Sequence, residues 1–237
     1  MPLVAFIDES FERIKSKGIG IKLLCATIID SNYVNDYSSL ITGNIQDILH
    51  NPYLKRLNIK SLKSKGFHFC NDHREIKNIY IEIIEQLNFD CFITFAYGEF
   101  ILEKDKQYEI LFYYLMKIIL YKYNIEDVII ESGGDIDEKI ATEIIRKITQ
   151  PKSFQVKNKH LTNIKMDTKL NPLLSVSDYM LGILRELITY GANNNVQCRD
   201  YLRIINKLRW VYDLTNKEFY DRSNLFPIDF GIINGIQ

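Results

Sequence analysis

The sequence predicts a single α/β domain built on a mixed sheet with helices on both faces. Two apolar runs lie close together at the amino end, at the spacing of an antiparallel hairpin. Farther along, short apolar runs alternate with longer stretches of helical period, the pattern of strands joined by crossover helices. A hydrophobic content of 46% in 237 residues supplies ample material for one core.

The first strand is Val4 to Ile7, an apolar run that ends at Asp8-Glu9-Ser10, as a buried central strand delivering polar groups at its carboxyl end reads. Gly18 and Gly20 mark the turn, and Ile21 to Ile29 is the second strand. Asn32 to His50 is helical and stops at Asn51-Pro52. A basic stretch (Lys55, Arg56, Lys60, Lys63, Lys65) closes at Gly66. Phe67-His68-Phe69 follows, and Asn71 or Asp72 is the expected cap of a helix reaching about Asn88.

Asp90 to Tyr97 predicts a third strand, and Lys106 to Tyr123 an amphipathic helix whose aromatic face reads as core. Asp127 to Glu131 is the fourth strand, and Asp135 or Asp137 opens a helix to about Ile148. Phe154 to Val156 and Asn163 to Asp167 are strand candidates flanking a basic loop with Lys157, Lys159 and His160. Asn171-Pro172 introduces a helix over Leu173 to Tyr190, and a last helix is expected over Arg199 to Trp210. No repeat or low-complexity linker divides the chain. It is read as one domain, 1–237, with a helical insertion at about 31–88 and a carboxyl-terminal extension at about 191–237.

Thirty basic and thirty acidic residues balance, which weighs mildly against avid, non-specific nucleic-acid binding. Cys25, Cys70, Cys91 and Cys198 show no C-x-x-C pair or short metal spacing, which argues against a zinc finger or disulfide scaffold. The start reads as a strand rather than a signal peptide. No apolar run reaches the roughly 18–20 residues of a membrane span, so a cytoplasmic protein without membrane association is expected.

Three acids carry the chemistry. If strands one and four are parallel neighbours, Asp8 and Glu131 meet at the carboxyl edge of the sheet, where functional groups of open α/β sheets gather. Asp178 lies among apolar residues in the early turns of the helix from Leu173, where an unpaired acid is costly. Clustered carboxylates repel unless a cation neutralises them, and a hard divalent ion, Mg²⁺ or Mn²⁺, suits oxygen ligands. Two such ions about 3.5–4 Å apart can activate water and stabilise the leaving oxygen of a phosphodiester. Asp8 and Glu131 are equally at home as turn residues. His68, between two phenylalanines, reads more readily as a packed core or rim histidine than as a catalytic one. The basic clusters Lys55 to Lys65, Lys157 to Lys169, and Arg199, Arg203, Lys207 and Arg209 read as solvated surface or as a groove tracking phosphates.

Phe6-Ile7-Asp8-Glu9-Ser10 at the start, Phe67-His68-Phe69, and Leu174-x-Val176-Ser177-Asp178-Tyr179-x-x-Gly182 together resemble a prokaryotic family. It is a domain-of-unknown-function family of RNase H-like fold, with a Y-I-D-E-S-G opening and a late L-Q-x-A-D-x-x-x-G helix. The resemblance spans roughly residues 3 to 190. It implies a metal-dependent nuclease acting on DNA or RNA. Asp8, Glu131 and Asp178 would be metal ligands; Glu9 and His68 match motif positions, and on the nuclease reading Glu9 or His68 would orient water or substrate. Phe11 stands where the family has Gly, and Ser177 where it has Ala. The competing expectation is a non-catalytic RNase H-like module that binds nucleic acid or a partner protein. An aspartate-nucleophile phosphohydrolase ranks last, because its second acid would fall at Ser10.

Overall fold

The computed structural model describes residues 2–14, 18–57, 59–98, 106–150, 163–191 and 195–232. The expected strand Phe154 to Val156 and its basic loop lie outside them. Among the described residues, seven strands form one sheet: β1 (Leu3–Ile14), β2 (Ile19–Asp30), β3 (Asp90–Tyr97), β4 (Ile125–Glu131), β5 (Asn163–Asp167), β6 (Leu208–Asp213) and β7 (Glu218–Tyr220). Their order is β5-β4-β1-β2-β3-β6-β7. β1 pairs antiparallel with β2 and parallel with β4, and only β2 and β7 run against the rest. Among the helices, α1 (Val34–His50), α2 (Lys60–Lys65) and α3 (Arg74–Gln86) lie between β2 and β3 in sequence. α4 (Gln107–Lys122), α5 (Glu138–Thr149), α6 (Leu174–Tyr190) and α7 (Asn195–Ile204) follow. The expected class, a mixed sheet with helices on both faces and a helical insertion after the second strand, is the one the chain forms.

Strand period 2 sorts β1 between two cores. Val4 and Phe6 pack with α3 and α6, through Tyr80, Val176, Tyr179 and Met180. Ala5 and Ile7 pack with α4 and α5, through Leu111, Phe112, Leu115 and Ile145. α6 is buried nearly all round, since it lies on β1 and β2 with α7 against it. The hydroxyl of Ser177 fixes its register by donating to the Phe6 carbonyl at 2.9 Å and meeting Thr27 Oγ1 at 2.8 Å. No helix among the described residues is long and apolar enough to cross a membrane.

Several boundaries differ from expectation for physical reasons. β1 continues through Asp8 to Ile14 because β2 pairs with it along its whole length. The cap of α3 is His73, whose ring accepts from Glu75 N–H, while Asp72 turns inward. Most instructive is the helix expected over Arg199 to Trp210. It ends at Ile204, and Leu208 to Asp213 is β6, laid parallel on the open side of β3 (Phe92 opposite Trp210, Ile93 opposite Val211). Helical period and strand period are hard to tell apart over so short a run, and the unpaired edge of β3 decides the outcome. β7, in the tail that sequence left unplaced, then pairs with β6.

Candidate active site

Register brings the acids together. Ile7 lies opposite Ile130 in the parallel β1–β4 pair, so Asp8 and Glu131, one residue on, share the carboxyl edge. Both have the parity of Phe6 and Ile129, so they face α6. Ser177 pins α6 to β1 one residue before Asp178, which sets the third acid over the same point of the sheet.

Asp8 is 3% exposed. Its Oδ1 accepts the Glu9 N–H at 2.7 Å, and its Oδ2 is buried without a hydrogen-bond partner. Burial, reinforced by the carboxylates of Glu131 and Asp178, pushes the Asp8 carboxyl well above the usual range. Asp178 is pushed up by burial and held back by His68, by the Phe69 N–H that donates to its Oδ2 at 2.6 Å, and by Lys169. Glu131 Oε1 pairs with Lys169 Nζ at 3.1 Å.

The Phe67-His68-Phe69 element is the cover of this cluster. Lys169 Nζ lies 3.0 Å from His68 Nε2. His68 Nδ1 faces Asp178 Oδ2 at 3.7 Å, too far for a hydrogen bond. Asp72 Oδ2 holds the element in place by accepting the His68 N–H at 2.8 Å and the Tyr179 hydroxyl at 2.5 Å. Phe69 seats against Gly182, where a Cβ would stand 2.2 Å from its ring. The glycine of the late motif is therefore a packing requirement of the cover.

Glu9 has the other parity and points to the α4 side of the sheet. Its Oε1 accepts the Asp135 N–H at 2.6 Å, beside an open cavity of about 820 Å³ that Lys22, Tyr108 and Asp135 also line. Asp8, Glu131, Asp178 and His68 thus form one cluster, and Glu9 stands across the sheet edge from it. Lys169 and Asp72 belong to the cluster and were not singled out as site residues in the sequence. The signal for Lys169 was its place two residues after the end of β5, the strand beside Glu131.

Much of the basic surface is engaged elsewhere. Arg203 pairs with Glu85 at 2.9 Å, Arg209 with Asp90, and Arg56 with Glu75. Asp90 opens β3, at the opposite end of the sheet from the acids.

The donor set suits a hard divalent cation in kind: three carboxylates converge, and one buried oxygen lacks any donor. In the arrangement found, an ammonium stands on Glu131, and no group of three His, Cys, Asp or Glu among the described residues is placed to hold a metal ion.

No family model matches the sequence, and no curated protein matches it. Among solved structures the chain is similar to a chain of the PCNA:RNase HII complex from Archaeoglobus fulgidus, at 12% identity and a TM-score of 0.38, over 99% of this chain and 96% of that one.

Proposed function

We propose that the protein is a metal-dependent nuclease of RNase H-like type, hydrolysing phosphodiester bonds of DNA or RNA at the Asp8–Glu131–Asp178 cluster. The observation that carries this reading is the unpaired, buried Oδ2 of Asp8 within reach of a second carboxylate. Two such groups can share a proton or a cation, and a site built only for stability would have paired them. The strand order β5-β4-β1-β2-β3, with β2 alone reversed among those five, supports the RNase H-like assignment. The opening and late motifs support membership of the domain-of-unknown-function family. Asp8, Glu131 and Asp178 would hold Mg²⁺ or Mn²⁺, which supplies Lewis acidity toward the phosphate and a more acidic water. The protein's own contribution is to hold three carboxylates on rigid elements and to keep His68 between Lys169 and Asp178, able to orient substrate.

A non-catalytic module binding nucleic acid or a partner protein is the second reading, favoured by the ammonium already seated on Glu131. Cleavage of labelled single-stranded and duplex DNA and RNA with Mn²⁺ separates the two. The wild type is expected to cleave at least one substrate. Asp8→Asn and Asp178→Asn should each lose about 100-fold or more, since even outer-sphere partners of metal ligands cost about 10–100-fold. An Asp8→Asn protein as active as wild type would refute the nuclease assignment at this site.

A further inference from the structure

The carboxylate cluster carries a cation of its own. Lys169 reaches Glu131 and His68 from a loop whose backbone is fixed at both ends. Asp167 Oδ1 accepts the Thr168 N–H at 2.7 Å, its Oδ2 accepts from Asn171 Nδ2 at 2.8 Å, and Asn171 N–H donates to the Thr168 carbonyl at 2.9 Å. The side chain on this fixed base is a flexible four-carbon stem with a strongly hydrated head, and it is 42% exposed. Water can therefore receive the ammonium with no backbone movement.

One ammonium against three carboxylates leaves the cluster under-neutralised. The contacts of Lys169 fall on Glu131 and His68, while Asp8 Oδ2 is buried with no neighbour to hydrogen-bond but the Glu131 carboxyl group. A divalent ion would serve Asp8 and Glu131 together, and it cannot share Glu131 with an ammonium 3.1 Å away without strong repulsion.

We infer that Lys169 is an exchangeable counter-ion of this site: it closes the cluster in the metal-free protein, and an entering divalent cation takes Glu131 and expels the ammonium toward solvent. There it stands at the mouth of the site, placed to meet a substrate phosphate as a point charge. The inference rests on the metal-dependent reading above and adds that metal binding is a competition with a residue of the chain.

Two measurements on the full chain test it. Mn²⁺ is titrated calorimetrically into wild type, Lys169→Met, Lys169→Arg and the Asp8→Asn, Asp178→Asn double variant, each confirmed as folded by its melting curve. Lys169→Met should bind Mn²⁺ about tenfold tighter than wild type, because a half-exposed positive charge has gone. Lys169→Arg should bind no tighter. Separately, modification of Lys169 by an amine-reactive reagent, read by peptide mass spectrometry, should rise severalfold when Mn²⁺ is added to wild type, and not in the double variant. Wild-type binding that the double variant abolishes, with Lys169→Met no tighter, overturns the exchange and leaves the metal site standing. Unchanged labelling of Lys169 at saturating Mn²⁺ overturns it likewise. If neither wild type nor Lys169→Met binds Mn²⁺, the exchange and the metal reading fall together.

Discussion

Asp8 shows how one side chain can be costly for stability where a site is proposed. A buried carboxylate beside two others costs free energy that a neutral isostere would not, and burial is the largest cause of its raised pKa. Asp8→Asn keeps the shape and removes the charge. In metal-free buffer at pH 7.5 it should therefore stabilise the protein, by about 1 kcal/mol, an effect of the size seen when buried charges are replaced without loss of packing. Saturating Mn²⁺ should reverse the order by raising the melting temperature of wild type alone. Urea denaturation with and without Mn²⁺ checks both halves, and an Asn variant less stable than wild type in metal-free buffer would contradict them. His68, read from sequence more readily as a packed histidine, has its backbone pinned by Asp72 and its ring between Lys169 and Asp178, which makes it a candidate of the proposed site.

At the scale of elements, the site depends on α6 meeting β1 and the Phe67-His68-Phe69 cover at fixed heights. Ser177 sets the first contact through the Phe6 carbonyl, where the alanine of the resembling motif could make no such bond. Gly182, one helical turn beyond Asp178, sets the second by leaving room for the Phe69 ring. Gly182→Ala would gain roughly 1 kcal/mol in helix propensity. It would also drive a Cβ into Phe69, and overpacking of this kind costs about 1–3 kcal/mol or more. The variant should be less stable than wild type by about 2 kcal/mol and bind Mn²⁺ more weakly, since Phe69 N–H is the donor that positions Asp178. Chemical denaturation and calorimetry would show it, and a variant at wild-type stability would mean that Phe69 does not depend on this gap.

Across the whole molecule, β6 and β7 lengthen the sheet beyond β3 and bring the carboxyl-terminal segment into the same hydrogen-bonded layer. Trp210, the sole tryptophan of the chain, lies on β6 and stacks on Tyr212. Its fluorescence reports the carboxyl-terminal strands, and far-ultraviolet circular dichroism reports the helices and sheet as a whole. We propose that the chain unfolds as one unit, so both probes should trace coincident urea transitions. A tryptophan transition at distinctly lower urea would show that the extension folds apart from the remainder.

Patterning in the chain was enough to specify most elements: the antiparallel opening, β3 to the residue, β4 ending at Glu131, and an α6 apolar on most sides with Asp178 in its early turns. These were legible because burial imposes local periodicity, and a polar residue at the end of an apolar run stands out against it. Asp8, Glu131 and Asp178 were therefore visible as candidates, and their convergence followed once β1 and β4 were taken as parallel neighbours. What local pattern could not hold was parity and partnership across long sequence distances. Adjacent in sequence, Asp8 and Glu9 part to opposite faces because side chains alternate along a strand and the core defines which face is which. Lys169 sits on Glu131 because β5, which it follows, pairs alongside β4, and Leu208 to Asp213 becomes a strand because β3 presents an open edge to it. Such outcomes depend on which edges remain open once the sheet is assembled, and that is settled by tertiary structure alone.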